Sequence, residues 1–258
     1  MSDSPPAERD LLDTAVELAQ QAGELTLRWF RRTDLEVDTK SDGSPVTQAD
    51  RAAERLIRDE LARRYPADTV IGEEHPDTAG TSARRWYIDP VDGTKSFTRG
   101  VAMYTTLLAL SDEHGPAIGV AYSPASGELV AAGRGLGCTY NGTPCAVSET
   151  TDLEGAYLTT SGYDYWAEPA LQTVARSGVN MRTWGDGYGY VLLASGRVDV
   201  MVDPGLSPWD VAPMNVIIPE AGGRITDFAG VELPDQGDVV ATNGRLHVDV
   251  LSMLAPTR

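Results

Sequence analysis

The sequence predicts an α/β fold: two amphipathic helices, then a run of short strands, then a mixed stretch of helices and strands. Three observations carry this. Apolar residues recur at helical spacing over residues 10–32 and 48–64. Short β-prone runs punctuated by Gly and Pro then take over. Beyond about residue 155 the two patterns mix, without a regular βαβ alternation. A chain of 258 residues has room for one large α/β unit or two closely packed halves. The change of pattern near residue 150 suggests an N-terminal half, 1–150, and a C-terminal half, 151–258.

Taken in order, Leu11, Leu12, Ala15, Leu18, Ala22, Leu25 and Trp29 form one face of a helix over 10–32. Asp34 to Pro45 is polar and turn-rich and reads as a loop. A second helix begins near Thr47, with Asp50 three positions on as the acidic member of a capping box. Ala53, Leu56, Ile57 and Leu61 give its buried face, and Tyr65-Pro66 stops it. Strands are expected at Thr69–Ile71, Trp86–Asp89, Tyr104–Leu110, Ala117–Tyr122 and Glu128–Ala132, with a hairpin at Asn141-Gly142. Pro169–Ser177 and Tyr188–Ser195 read as helices, the second stopped by Gly196. Val198–Val202 is a strand. Val211–Glu220 is a helix with Pro213 in its first turn, ended by Gly222-Gly223. Strands at Arg224–Asp227 and Val239–Thr242 and a helix within Leu246–Leu254 close the chain.

Composition narrows the function. The formal net charge of -17 argues against a nucleic-acid binder, which needs a basic face. No apolar run approaches a membrane span, and Met1 to Asp10 lacks the basic and apolar regions of a secretory signal. The expected location is cytoplasmic. Cys138 and Cys145 read as free thiols in that setting. The three histidines show no zinc-ligand spacing. Every basic residue is Arg except Lys40 and Lys95. Codon bias explains that as well as a pair of lysines kept beside an anion.

The chemistry is concentrated in carboxylates. Trp86-Tyr87-Ile88-Asp89-Pro90-Val91-Asp92-Gly93-Thr94-Lys95 is a β-prone run that ends in two acids. Two such acids at a strand end can converge, and converging carboxylates repel unless a cation lies between them. All-oxygen donors favour a hard ion such as magnesium. Gly93 lets the backbone approach a ligand, and a helix starting there would offer free N–H groups to phosphate. An Asx turn explains Asp92-Gly93 equally well when the pair is taken alone. Further acids stand just past a strand, at Gly72-Glu73-Glu74, and at helix starts, at Asp50 and Asp210. Singly, the last two need be no more than capping devices. Their order, and the absence of histidine partners, favour one metal site. An aspartyl nucleophile at Asp89 or Asp92 competes with that reading, but Glu73 and Asp210 favour metal ligation. Gly133-Arg134-Gly135-Leu136-Gly137 lacks the spacing of a dinucleotide-binding loop and opens no helix, so it reads as a turn.

The ordered set Gly72-Glu73-Glu74, Asp89-Pro90-Val91-Asp92-Gly93-Thr94 and Trp209-Asp210, followed by Glu220-Ala221-Gly222-Gly223, closely resembles the inositol monophosphatase family. The resemblance covers nearly the whole chain. It implies a layered αβαβα sandwich of the inositol monophosphatase and fructose-1,6-bisphosphatase type, a homodimer, and magnesium-dependent hydrolysis of a small phosphorylated metabolite. Two or three Mg²⁺ ions are implied per site, with Mn²⁺ a possible substitute. Glu73, Asp89, Asp92, Asp210 and the Val91 carbonyl would be the ligands. Asp50 and Thr94 would orient the attacking water together with the Glu73 side, and Gly93 and Thr94 would touch phosphate. Lys40 would steady phosphate or a third metal.

Within that family, Arg182-Thr183-Trp184-Gly185-Asp186-Gly187-Tyr188-Gly189-Tyr190 and Met201-Val202-Asp203-Pro204 look like the histidinol-phosphate phosphatases of histidine biosynthesis. Gly185, Asp186, Gly187 and Asp203 would then form the substrate pocket, with Asp186 and Asp203 facing a cationic leaving group. Tyr188 and Tyr190 are read equally well as helix packing. Arg182 meets either phosphate or a surface acid. Inositol 1-phosphate, fructose 1,6-bisphosphate and 3′-phosphoadenosine 5′-phosphate are the rival substrates. A catalytically silent metal or phosphate sensor is the rival from outside enzymology.

Overall fold

The computed structural model describes residues 4–41 and 43–254. Residues 1–3 of the acidic start and Asp42 of the loop before the second helix lie outside the described residues. Helix α1 (Arg9–Thr26) buries Leu11, Leu12, Ala15, Leu18 and Ala22, but ends at Thr26 rather than at residue 32. The Thr26 hydroxyl donates back to the Gly23 carbonyl at 2.6 Å, and the chain leaves the helix in a turn. Phe30 is thereby free to meet Tyr104 at 5.2 Å between ring centroids, in a small aromatic core with Phe97. The segment read as a loop contains a short antiparallel arm, β1 (Val37–Thr39) against β2 (Pro45–Thr47). Helix α2 (Gln48–Arg64) follows, with both bonds of the Thr47/Asp50 capping box in place.

The middle of the chain builds a seven-stranded sheet. Its strands are β3 (Thr69–Gly72), β4 (Arg85–Asp92), β5 (Thr105–Asp112), β6 (Gly115–Ser123), β7 (Glu128–Gly133), β8 (Gly137–Tyr140) and β9 (Thr143–Pro144). They lie side by side in chain order, antiparallel except for the β3–β4 pair. A short helix, α3 (Thr94–Thr98), sits between β4 and β5. The glycine string 133–137 is the tight turn joining β7 to β8, and its N–H groups at Gly135 and Gly137 donate to Glu220. Asn141-Gly142 joins β8 to β9 with both residues at positive φ, as a tight hairpin requires. Cys138 and Cys145 are free thiols with Sγ atoms 3.6 Å apart.

A five-stranded sheet follows. Its strands are β10 (Tyr157–Thr159), β11 (Asn180–Arg182), β12 (Val200–Leu206), β13 (Arg224–Asp227) and β14 (Gly237–Thr242), in spatial order β11-β10-β12-β14-β13. β10 and β11 are three residues each, too short for an alternating pattern to show in sequence. The helices are α4 (Glu168–Ala175), α5 (Asp186–Ala194), α6 (Pro208–Glu220) and α7 (His247–Leu254). α6 begins at Pro208, not at Val211, so the first-turn proline is Pro208, and Pro213 and Pro219 lie inside the helix. The missing N–H of an internal proline is a cost that burial between two sheets offsets. A side chain at Gly119 of β6 would collide with the Pro213 carbonyl, so this helix lies directly on the sheet backbone.

Besides that small aromatic core, period-two alternation divides the apolar residues of the two sheets among three larger cores. Leu108 and Leu110 of β5 and Ile118 and Val120 of β6 point to α1 and α2. Leu107, Ala121 and Val130 point the other way, onto α5 and α6. That middle core also takes Met201, Val239 and Ala241 from the second sheet, whereas Val200, Val202 and Val240 face α4 and α7. The result is five layers, αβαβα. The seven-stranded sheet lies before residue 150 and the five-stranded sheet after it, and both contribute to the middle core. Among the described residues no helix is long and apolar enough to cross a membrane.

Candidate active site

The site lies where β4 leaves the first sheet and α5 and α6 leave the middle layer. In a regular strand, residues three apart point to opposite faces. A break in the β4–β5 register between Asp89 and Asp92 removes that constraint. The two carboxylates meet Asp210, the third residue of α6, with one oxygen from each within 4.8 Å of the others. Asp210 is aimed by its own cap: Oδ2 accepts from Ser207 N at 2.8 Å. Asp89 holds the turn, accepting Val91 N at 3.0 Å. Asp92 accepts the Thr105 hydroxyl at 3.2 Å and the Gly187 N–H.

Glu73 follows β3 and lines the same cavity of about 210 Å³ as Asp89, Val91, Asp92 and Asp210. Its Oε1 accepts from Lys40 Nζ at 2.6 Å, and Lys40 also donates to Glu74 at 2.5 Å. The β1–β2 arm thus delivers one of the two lysines to the acids. Burial opposes the Lys40 charge, but its bonds to Glu73 and Glu74 outweigh this and raise its pKa.

Gly93 and Thr94 line this cavity too. Gly93 has φ 86°, a conformation open to glycine, and a Cβ there would sit 2.9 Å from Asp186 Oδ2. The Thr94 hydroxyl lies 3.3 Å from Asp50 Oδ1 and 3.0 Å from the Val91 carbonyl. It carries one proton and serves one of these acceptors at a time. Asp50 is fully buried, and its other oxygen accepts both the N–H and the hydroxyl of Thr47.

A second cavity, of about 160 Å³, adjoins the first and shares Asp92, Tyr165, Asp186 and Asp210 with it. Asp186 opens α5 at φ 51°, a strained angle for a residue other than glycine. Its N–H donates to Ser161 Oγ at 2.8 Å, and Ser161 Oγ donates to Asp203 at 2.8 Å. Gly187 leaves room for Asp92, whose Oδ2 would lie 2.5 Å from a Cβ there. Gly185 is the N-cap residue of α5, against the Ser161 backbone, and lines neither cavity.

Arg182 also stands apart. Its guanidinium lies over the Tyr157 and Trp184 rings at 5.6 and 5.7 Å and donates to the Met181 carbonyl. It lines neither cavity and, among the described residues, has no acid within ion-pair distance. The stacked aromatic pair explains this, since a guanidinium gains from lying over such faces.

Sequence reasoning passed over Ser161 and Tyr165. Ser161 stands two residues past β10, at the carboxyl end of a parallel strand, where α/β proteins commonly place ligand contacts. Unread, that strand hid the signal. Tyr165 lies between the two cavities, its hydroxyl 2.5 Å from Lys95 Nζ. Nothing local marks it.

The electrostatics are those of uncompensated negative charge. Burial pushes Asp89 and Asp92 well above the usual carboxylate range, with neighbouring acids adding to it. Burial likewise pushes Asp210 and Asp186 up to about 6 and Asp203 to about 8. Each of these shifts favours the neutral carboxyl, a preference that a bound cation would reverse. The donor set is all oxygen, which suits a hard divalent ion.

Comparison with known proteins agrees with this geometry. Residues 7–255 match the inositol monophosphatase family. A histidinol-phosphatase of Mycobacterium tuberculosis is 41% identical, over 95% of this chain and 98% of its own. One from Chlorobaculum parvum is also 41% identical, over 90% of this chain and 92% of its own. The solved structure of the extragenic suppressor protein suhB from Bartonella henselae superposes with a TM-score of 0.90 at 28% identity, over 96% of this chain and all of its own. The layered fold, the order of the acidic motifs and these matches make one conclusion: the chain belongs to the inositol monophosphatase family.

Proposed function

We propose that this protein is a magnesium-dependent phosphatase that hydrolyses L-histidinol phosphate to L-histidinol and phosphate. The observation that carries the reading is the joint at Asp186. This residue lines both the cavity of the Asp89, Asp92 and Asp210 cluster and the cavity that holds Asp203. A phosphate ester with a cationic leaving group fits such a pair of compartments. Relatives named histidinol-phosphatase at 39–41% identity support the same substrate.

Asp89, Asp92 and Asp210 would hold the ion, with Glu73 and the Val91 carbonyl beside them. When bound, Mg²⁺, or Mn²⁺ in its place, supplies Lewis acidity to phosphoryl oxygens and to water. Asp50 is held by Thr47 so that its free oxygen meets the Thr94 hydroxyl, which orients the attacking water and passes on its proton. The N–H groups that open α3 face the phosphate, and Gly93 keeps that approach clear. Lys40 holds Glu73 in the cavity wall and offsets charge as phosphate arrives. Asp186 and Asp203 attract the ammonium of the leaving group. The reading includes a homodimer in the cytoplasm, which rests on family resemblance and is checked by sedimentation of the purified protein.

The test is growth without histidine of an auxotroph lacking histidinol-phosphate phosphatase, paired with magnesium-dependent phosphate release from a panel of esters. The panel holds L-histidinol phosphate, inositol 1-phosphate, fructose 1,6-bisphosphate and 3′-phosphoadenosine 5′-phosphate. Failure to complement, together with a higher kcat/KM on another member, would refute the substrate assignment. No release from any ester would refute the enzyme.

A further inference from the structure

Buried polar side-chain atoms are almost always hydrogen-bonded, so an exception beside a cavity points to a partner from outside the chain. Among the described residues three such atoms lack a partner: Gln48 Oε1, Asn215 Oδ1 and the Tyr190 hydroxyl. Of these residues only Tyr190 lines the cavity that contains Asp186 and Asp203. It is 2% exposed and belongs to the middle core. It stands one helical turn after Asp186 on α5, so the two share a helix face.

Helix packing alone does not account for this hydroxyl. Phenylalanine would fill the same volume without a buried polar atom that nothing satisfies. The rest of the lining argues about the missing partner. The lining combines Leu206 and Met214, which pack in the same core as the Tyr190 ring, with carboxylates, of which Asp203, Asp210 and Asp92 act electrostatically on its hydroxyl. A flat ring carrying one or two polar nitrogens needs apolar walls and a group that can both donate and accept. A phenol hydroxyl does both, and imidazole offers both an N–H and a lone pair.

We propose that the Tyr190 hydroxyl determines specificity by hydrogen-bonding the imidazole ring of the leaving group, while Asp186 and Asp203 face its ammonium. This rests on L-histidinol phosphate being the substrate. It assigns the two polar ends of that leaving group to different residues. A site built to hydrogen-bond a substrate group discriminates strongly against analogues without it.

The experiment compares wild type with Tyr190→Phe on L-histidinol phosphate and on O-phosphoethanolamine, which keeps the ammonium and lacks the ring. The variant should lose roughly tenfold or more in kcat/KM on L-histidinol phosphate, mostly through KM, and change little on O-phosphoethanolamine. Titration calorimetry with L-histidinol should show a matching loss of affinity without turnover. Thermal unfolding should show the variant at least as stable as wild type, because an unsatisfied hydroxyl has been removed. Equal losses on both esters, or an undiminished preference for L-histidinol phosphate, would overturn the contact. A wild-type enzyme with no preference for L-histidinol phosphate would instead overturn the substrate assignment, and the contact with it.

Discussion

Replacing Asp203 by Asn should flatten the pH dependence of stability in the metal-free protein. Asp203 is 1% exposed. Burial pushes its pKa from 3.8 to about 8, against the Ser161 hydrogen bonds and with repulsion from Asp186 and Asp210. The native chain therefore keeps a proton that the unfolded chain releases near pH 3.8. Between those values the native state binds more protons, so the stabilisation is complete below pH 3.8 and is lost as pH rises towards 8. The slope is about 1.4 kcal/mol per pH unit, or roughly 2.7 kcal/mol between pH 5 and 7. For a chain of this size that is about 5–10 °C in Tm. Asn keeps the shape, can still accept from Ser161, and does not titrate. The assay is thermal unfolding of both proteins in a chelator at pH 5, 6, 7 and 8. Wild type should lose about that much more than Asp203→Asn between pH 5 and 7. Parallel slopes would refute the claim that Asp203 carries a proton in the folded state.

Three further substitutions probe other parts of the site. Asp186→Ala should raise KM for L-histidinol phosphate by roughly tenfold or more and leave a neutral ester nearly unchanged; equal effects would remove Asp186 from substrate recognition. Thr94→Ala should lower kcat by about 10²–10⁴ while the magnesium concentration for half-activation stays put, if the Asp50–Thr94 pair moves a proton, as proposed, and does not hold the ion. A coupled loss of magnesium affinity would contradict that division. Magnesium at a hundred times its Kd should stabilise wild type by about 2.7 kcal/mol in thermal unfolding, and Asp89→Asn should abolish most of that shift. An unchanged shift in the variant would place the ion elsewhere.

Much of the site was legible because local rules fix its carboxylates. Asp50 and Asp210 each stand third in a helix behind a Thr or Ser cap, a pattern visible in sequence. The capping and functional readings are not rivals. In Asp50 the cap occupies Oδ2 and leaves Oδ1 for Thr94. In Asp210 the cap likewise occupies Oδ2. The cap locks the rotamer, and the locked rotamer points the second oxygen into the site. A helix start that repairs its own first turn thereby supplies a rigid ligand at little extra entropic cost.

What stayed hidden depends on contacts between distant segments. The sequence shows Asp89 and Asp92, but their convergence needs the register break against β5. Ser161 and Tyr165 follow a strand too short to leave a pattern, and only the second sheet brings them to the first. Arg182 carried the right charge for phosphate, but Tyr157 and Trp184 from neighbouring segments claim it. Tyr190 is the sharpest case. Its spacing after Asp186 is that of any helical core residue, and its ring does pack in the core. Only the three-dimensional arrangement shows that its hydroxyl lacks a protein partner and that the residue lines the acidic cavity. A residue can thus satisfy the apolar pattern with its ring and leave the pattern with a single atom, and periodicity cannot register the difference.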